Sequence, residues 1–222
     1  MVPIYVIGDT LREPNQCTYL KQYFQEHSIS VTYFQPTYKD TLTDSEVSRF
    51  TEQTHGRFFR ASEKSLFLNF FYLFEQCLME HKDGYILLLE SDVIFEGNIR
   101  EYLEGLKPFL ETQNPHLVSI GSGCDCIDDD VNTDDMTLQI AKKTVVRCTD
   151  TLLFSIEGMR IFLEYMKQYG PWDEPIDNFL DTFVKQYESS YMYYWVWPSI
   201  TLQGSQYGYY TSSIQDSSIQ DS

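Results

Sequence analysis

Apolar positions along this chain recur with two periods, and the alternation between them predicts an α/β order. Tyr85 to Leu89 is an unbroken apolar run, too short for a typical helix and too uniform for a half-solvated strand. It is therefore expected to be a central strand covered on both faces. Pro3 to Ile7 reads as a first buried strand, closed by Gly8-Asp9-Thr10. Leu11 to His27 follows with apolar residues at Leu11, Tyr19, Leu20, Tyr23 and Phe24, a helical pattern at its carboxyl half, and Ser30 to Gln35 alternates as a second strand. This opening implies a parallel pair joined by a crossover helix. Pro36 to Gln53 is polar, a loop with a short helix near Asp44 to Phe50. Ala61 to His81 then places Leu66, Phe67, Phe70, Phe71, Phe74, Cys77 and Leu78 on one stripe of a long amphipathic helix.

Beyond the central run, Asn98 and Glu101 form a cap and a capping-box acid for a helix over Ile99 to Leu110. Pro115 to Ile120 predicts another strand. Thr137 to Ala141 and Thr144 to Cys148 read as a hairpin about Lys142-Lys143, with a further strand at Thr151 to Ser155. Glu157 to Tyr169 is helical and ends at Gly170-Pro171. Pro175 opens one more helix, with Phe179, Leu180 and Phe183 facing inward, and the aromatic strand Tyr191 to Trp197 closes the core. Ser-Ser-Ile-Gln-Asp occurs twice in succession, at Ser212 to Asp216 and Ser217 to Asp221, and has no packing face. The expectation is one α/β domain over residues 1–211, a mostly parallel sheet flanked by helices with a small antiparallel hairpin region. Residues 212–222 are expected to be a flexible polar tail.

Charge narrows the partners. The 222 residues carry 33 acidic against 16 basic side chains, a formal charge of −17, which argues against nucleic acid or an anionic membrane as a surface partner. No apolar run approaches the roughly 18 residues of a transmembrane helix, and the amino terminus is too short and uncharged for a signal peptide. The five cysteines are an odd number without zinc spacing, and Cys124 and Cys126 are too close for a relaxed pair. Reduced thiols in a cytoplasmic compartment are expected.

The candidate chemistry lies where the central run ends. Glu90 and Asp92 are two residues apart, so on an extended backbone both carboxylates aim one way and Ser91 the other. In an open α/β sheet the carboxyl end of the strands is where ligands bind, and paired carboxylates there suit a hard divalent cation also held by substrate phosphates. The alternative is a polar exit from a buried strand. Gly8 to Arg12 reaches the same sheet edge, as a nucleotide-facing loop or an ordinary turn. Arg57, Arg60 and Lys64 cluster at a helix start, where the dipole disfavours cations unless an anion such as a diphosphate is near; a solvated basic turn is the other reading. Asp125, Asp128, Asp129, Asp130, Asp134 and Asp135 lack the EF-hand spacing and read as a solvated acidic loop. Asp177, at a helix start, is either an acid favoured by the dipole or a catalytic group.

The pair Glu90 and Asp92, followed by Val-Ile-Phe and Gly97, resembles the D-x-D metal and nucleotide motif of GT-A glycosyltransferases, with Glu at the first position. The likeness extends along the chain. Tyr5-Val-Ile, Leu88-Leu-Glu-Ser-Asp-Val, Thr151 to Ile156, Pro175-Ile-Asp177, Pro198, Gln203 and Ser213-Ile214 occur in the order seen in family 25 glycosyltransferases, the lipooligosaccharide and collagen galactosyltransferases. The chain is also similar to compact glycosyltransferase domains of large DNA viruses. It departs from the family at Ser62 to Ser65, which contains Lys64 where a Ser-His pair is frequent.

The resemblance implies a GT-A-like (Rossmann-like) fold and transfer of a sugar from a UDP- or GDP-linked donor to a glycan or other acceptor hydroxyl. It implies Mn2+ or Mg2+ on Asp92, with Glu90 sharing the ion or facing the ribose. Gly8, Asp9, Thr10 and Arg12 would line the nucleotide pocket, and Asp177 would be the base of an inverting reaction, while Arg60 and Lys64 are candidates for the diphosphate from their charge at the helix start alone. A retaining route, with the leaving phosphate taking the proton, is the alternative if no carboxylate reaches the acceptor. Two other classes stand beside it: a sugar-nucleotide nucleotidyltransferase, for which Gly8-Asp9-Thr10-Leu11-Arg12 is a poor phosphate loop, and a noncatalytic carbohydrate-binding module, favoured by 16% aromatic content.

Overall fold

The computed structural model describes residues 2–8, 10–123, 137–146 and 148–210. In chain order the elements are β1 (Ile4–Ile7), α1 (Pro14–Glu26), β2 (Thr32–Phe34), α2 (Asp44–Val47), β3 (Gln53–Thr54), β4 (Arg57–Phe58), α3 (Ala61–Glu80), β5 (Tyr85–Glu90) and β6 (Val93–Phe95). They continue with α4 (Ile99–Gln113), β7 (Leu117–Ser119), β8 (Gln139–Lys142), β9 (Thr151–Ser155), α5 (Ile156–Gln168), α6 (Ile176–Gln186), β10 (Tyr193–Trp197) and β11 (Thr201–Gln203).

Seven strands form one sheet in the order β2-β1-β5-β9-β7-β10-β8. β2, β1, β5, β7 and β10 run one way, and β9 and β8 run against them. Helices cover both faces, and the α/β architecture is Rossmann-like. The period of two divides the strand residues between two cores. Tyr5 and Ile7 of β1, Ile86 and Leu88 of β5 and Leu152 and Phe154 of β9 pack with α3, α5 and α6 on one face. Ile4, Val6, Leu87, Leu89 and Leu153 pack with α1 and α4 on the other. With both faces covered, the middle strands are apolar without interruption, as the sequence of β5 shows.

Three local features differ from expectation. The hairpin about Lys142-Lys143 does not form: β8 is present, but its partner is β10, with Tyr194 opposite Lys142 and Trp197 opposite Gln139. Residues 144–146 and 148 are in no strand, and Arg147 lies outside the described residues. The backbone N–H of Val146 instead donates to Asp181 Oδ1 on α6 at 2.8 Å, so a helix side chain takes the donor that a strand ladder would have used. The small antiparallel sheets lie elsewhere, in β3 with β4 and β6 with β11. These strands have two or three residues, too few to carry a readable period. The acidic stretch Asp125 to Asp135 and the tail 212–222 lie outside the described residues.

Two side-chain clasps fix the loops on the carboxyl edge. On α1, the Tyr23 hydroxyl donates to Gly97 O at 2.6 Å and accepts from Ile99 N–H at 2.9 Å, and its ring stacks on Phe95 at 4.0 Å. The turn between β6 and α4 is thereby pinned to the face of α1. On α3, Asn69 Oδ1 accepts from Thr37 N–H at 3.0 Å and from its hydroxyl at 2.8 Å, while Asn69 Nδ2 donates to Thr37 O at 3.1 Å. Ser65, one turn earlier, donates to the same carbonyl at 3.1 Å. Because Thr37 is buried, Asn69→Ala strands its N–H away from water, an omission that costs about 1–3 kcal/mol. Urea unfolding of this variant is expected to show a lower midpoint with an unchanged slope; an unchanged midpoint would mean that the loop is held by other contacts.

Candidate functional site

β1 and β5 run parallel with Ile7 beside Glu90, so both strands end at one edge. β9 lies antiparallel on the other side of β5 and brings its entry, Thr149 and Asp150, to the same edge. Glu90 N–H donates to Asp150 O at 2.9 Å, and Thr149 Oγ1 donates to Glu90 Oε1 at 2.6 Å. The strand stops there. Residues 91 and 92 form a turn into β6, and their side chains take different partners: Ser91 Oγ donates to Glu13 Oε2 at 2.7 Å, at the start of α1. Asp92 is held by the chain after β11. Gly204 N–H donates to Asp92 O at 2.7 Å, and the Ser205 hydroxyl donates to Asp92 Oδ2. Asp92 Oδ1 is buried with no hydrogen-bond partner.

Asp150, wholly buried, sits against Gly121; a Cβ at that position would lie 2.0 Å from Asp150 Oδ2. Asp177, in the first turn of α6, completes the group, and its Oδ1 accepts from Asn178 N–H at 2.9 Å. So many carboxyls in one place alter their acidity. Glu90 keeps partial exposure by surface area, yet protein surrounds its carboxyl. Burial pushes its pKa up to about 8, with Asp92, Asp150 and Asp177 adding to the rise and the Thr149 hydrogen bond opposing it. Asp92 is also raised by burial, against the pull of Ser205. Asp177 is raised by burial and by Glu63, against the Asn178 N–H.

Two adjoining cavities open on this edge. The larger, about 530 Å3, is lined by Arg57, Glu63, Leu66, Glu90, Cys148, Thr149, Pro175, Ile176, Asp177, Asn178, Gln203, Ser205 and Gln206. The smaller, about 60 Å3, is lined by residues that include Ile7, Glu13, Gln35, Tyr38, Lys39, Asn69, Glu90 and Asp92. Glu90, Leu66 and Gln203 belong to both, so Glu90 stands on the shared wall. The clasped Thr37 places Tyr38 and Lys39 over the smaller recess.

The sequence-derived candidates divide accordingly. Glu90, Asp92 and Asp177 come together at one edge. Gly8, Thr10 and Arg12 end β1 beside the small recess but do not line it, and Asp9 lies outside the described residues. Gly8 has a packing reason: a Cβ there would fall 2.5 Å from Ser91 Cβ. Arg12 is exposed, with its guanidinium 4.1 Å above the Tyr38 ring. Arg60 and Lys64 line neither cavity. Lys64 is buried with its ammonium 5.7 Å from each of the Phe50 and Phe59 rings, and Arg60 is exposed and caps α3 through its backbone, donating N–H to Glu63 Oε2 at 3.0 Å. The cation that does face the larger cavity is Arg57, the third member of the same basic cluster. Thr149, Ser205, Glu13 and Glu63 carried no sequence signal, since each matters through a partner distant along the chain.

The cysteine expectation is corrected at one position. Cys17 and Cys77 are free and buried, but Cys148, on the wall of the larger cavity, is disulfide-bonded. Pairing depends on proximity in space, which an odd count and absent zinc spacing do not report. Among the described residues no helix is long and apolar enough to cross a membrane.

The donor set can be tested against a divalent cation. Mg2+ and Mn2+ prefer oxygen ligands, and Mg2+ is commonly held by one or two carboxylates plus substrate phosphates rather than by an all-protein cage. Asp92 with its unsatisfied oxygen and Glu90 beside it fit that shared mode. They do not make a self-sufficient site: among the described residues no group of three or more His, Cys, Asp or Glu side chains is placed to hold a metal ion. No family model matches the chain, and no curated protein matches it.

The raised acidity constant of Glu90 has a thermodynamic consequence. A carboxyl whose folded value lies near 8 and whose ordinary value is 4.5 binds its proton more tightly in the folded state. That contribution to stability is complete below about pH 4.5 and is lost as pH rises through about 8. Melting curves in EDTA between these limits are expected to show wild type losing ground to Glu90→Gln as pH rises. Parallel pH profiles would contradict the burial of this carboxyl.

Proposed function

We propose that the chain is a glycosyltransferase that moves a sugar from a UDP- or GDP-linked donor to an acceptor hydroxyl, with Mn2+ or Mg2+ held by Asp92 and Glu90 and with Asp177 as the base. The observation that carries this reading is the concentration of Glu90, Asp92 and Asp177 around two joined cavities at the carboxyl edge of the sheet, with a buried Asp92 oxygen unsatisfied. Burying like charges is costly, and a divalent cation with a diphosphate gives the cost a purpose. The sequence resemblance to family 25 glycosyltransferases supports the same reading.

When bound, the cation neutralises charge on the departing diphosphate. Asp92 offers Oδ1 because Ser205 occupies Oδ2, and Thr149 turns Glu90 by holding Oε1. Asp92 lines the smaller recess and Asp177 the larger cavity, and in this reading the diphosphate would lie on the Asp92 side of Glu90 and the acceptor on the Asp177 side. The acceptor oxygen attacks the anomeric carbon while Asp177 takes its proton. The bond from that carbon to the diphosphate breaks with its electron pair leaving on the nucleotide, and the configuration inverts. Burial of Asp177 favours its proton-accepting role by raising its basicity.

Donor hydrolysis with a panel of nucleotide sugars, water replacing the acceptor, tests the reaction itself; no turnover of any donor with Mn2+ or Mg2+ would overturn it. Asp92→Asn is expected to abolish the Mn2+-dependent thermal shift given by UDP or GDP and to leave the metal-free melting temperature within a few degrees, because the apolar run of β5 is untouched. An undiminished shift would remove Asp92 from the metal site. Asp177→Asn is expected to lower kcat by about 10²–10⁴-fold with donor affinity near wild type. Full turnover with a lowered melting point would return Asp177 to the helix dipole.

A further inference from the structure

The larger cavity has a charge arrangement that bears on what it admits. Arg57, on β4, is its basic lining residue, and both ends of the guanidinium fork are engaged by one carboxylate: Nη1 donates to Glu63 Oε2 at 2.8 Å and Nη2 to Glu63 Oε1 at 2.5 Å. A bidentate pair of this kind occupies the Nη1–Nη2 edge, one of the two edges with which the guanidinium could capture a carboxylate or phosphate from a ligand. Glu63 is also fixed from behind by the Arg60 N–H, and its side chain is only 9% exposed, so the pair is built into the start of α3. The remaining polar lining consists of acids, Glu90 and Asp177, and of neutral amides and hydroxyls, among them Asn178, Ser205 and Thr149. Leu66, Pro175 and Ile176 supply the apolar surface. Amides and hydroxyls both donate and accept, as sugar hydroxyls do. A volume of about 530 Å3 is within the range of small-molecule sites.

We propose that this cavity takes an uncharged saccharide and rejects anionic ones, and that Glu63 sets the distinction by occupying Arg57. The assignment of this saccharide as the acceptor rests on the glycosyltransferase reading; the ligand class rests on the lining. An anionic sugar meets Glu63 and Asp177 with the terminal edge of the Arg57 guanidinium already occupied, and like-charge juxtaposition suppresses wrong partners. A neutral sugar of the same shape pays no such cost.

Binding of methyl glucoside, methyl galactoside and methyl mannoside, and of the matching methyl glucuronide and galacturonide, is measured at pH 7.5 by ligand-observed NMR. Wild type is expected to bind at least one neutral glycoside about tenfold or more tightly than its uronate. Glu63→Gln keeps an oxygen for the Arg60 N–H but gives up the charge, and is expected to shrink or reverse that ratio by strengthening uronate binding. Asn178→Leu, at an exposed position, is expected to weaken the neutral glycoside about tenfold and serves as the second variant should Glu63→Gln fold poorly. Equal affinity for neutral and anionic sugars, a ratio unmoved by Glu63→Gln, or no binding of any glycoside would overturn the proposal. A thermal shift with Mn2+ and UDP or GDP is run in parallel. Nucleotide binding without glycoside binding sinks this inference alone, and glycoside binding without nucleotide binding sinks the transferase reading and leaves the ligand class standing.

Discussion

Covering β5 on both faces is the constraint from which the rest of the molecule follows. A strand with helices on either side has no solvated face on which to carry polar groups, so its chemistry is confined to its ends. Ile86 and Leu88 commit to one core and Leu87 and Leu89 to the other, and Glu90 is the first residue that can be polar. Its neighbours are set by the same sheet: β1 ends beside it, β9 begins beside it, and the turn to β6 sends Asp92 toward the segment after β11. The acidic edge is thus where a buried strand surfaces. Its cost is visible in the raised pKa of Glu90, which no surface carboxylate would show.

Much of this was legible in the residues. Tyr85 to Leu89 is a central strand because an unbroken apolar run of that length has few other stable positions, and the apolar residues read on α3 and α6 pack into the same core. Past Glu90 the strand has ended, and Ser91 and Asp92 take partners from different segments while both line the smaller recess. Period and composition failed where pairing is decided by space. β8 pairs with β10 rather than with its sequence neighbour because the edge of β10 was available and the N–H of Val146 found Asp181. No pattern within Gln139 to Cys148 contains that information.

The candidate site was legible in part for the same reason. Glu90, Asp92 and Asp177 stand at element ends, which periodicity locates well. Their supports do not. Thr149 acts on Glu90 from a residue 59 positions away, and Ser205 acts on Asp92 from 113 positions away. The basic cluster Arg57, Arg60 and Lys64 was visible as a group, but local geometry gave its members different fates: Lys64 folded onto two phenylalanine rings, Arg60 turned outward, and Arg57 reached the cavity by way of the short β3 and β4 hairpin. Charge clusters in a sequence identify neighbours in the chain, and a single turn of hairpin or helix is enough to separate them.

The contact between Gly121 and Asp150 carries an implication for how this edge can vary. Asp150 has no exposure, and the space occupied by its carboxylate is the space that any side chain at 121 would need. Position 121 has no room for a side chain while Asp150 is kept, so homologues with a residue larger than glycine at 121 should carry a smaller one at 150. Such a compensated pair would shift the acidic balance beside Glu90 without altering Glu90 itself. Divergence of the site would then be recorded first in a glycine that lines neither cavity.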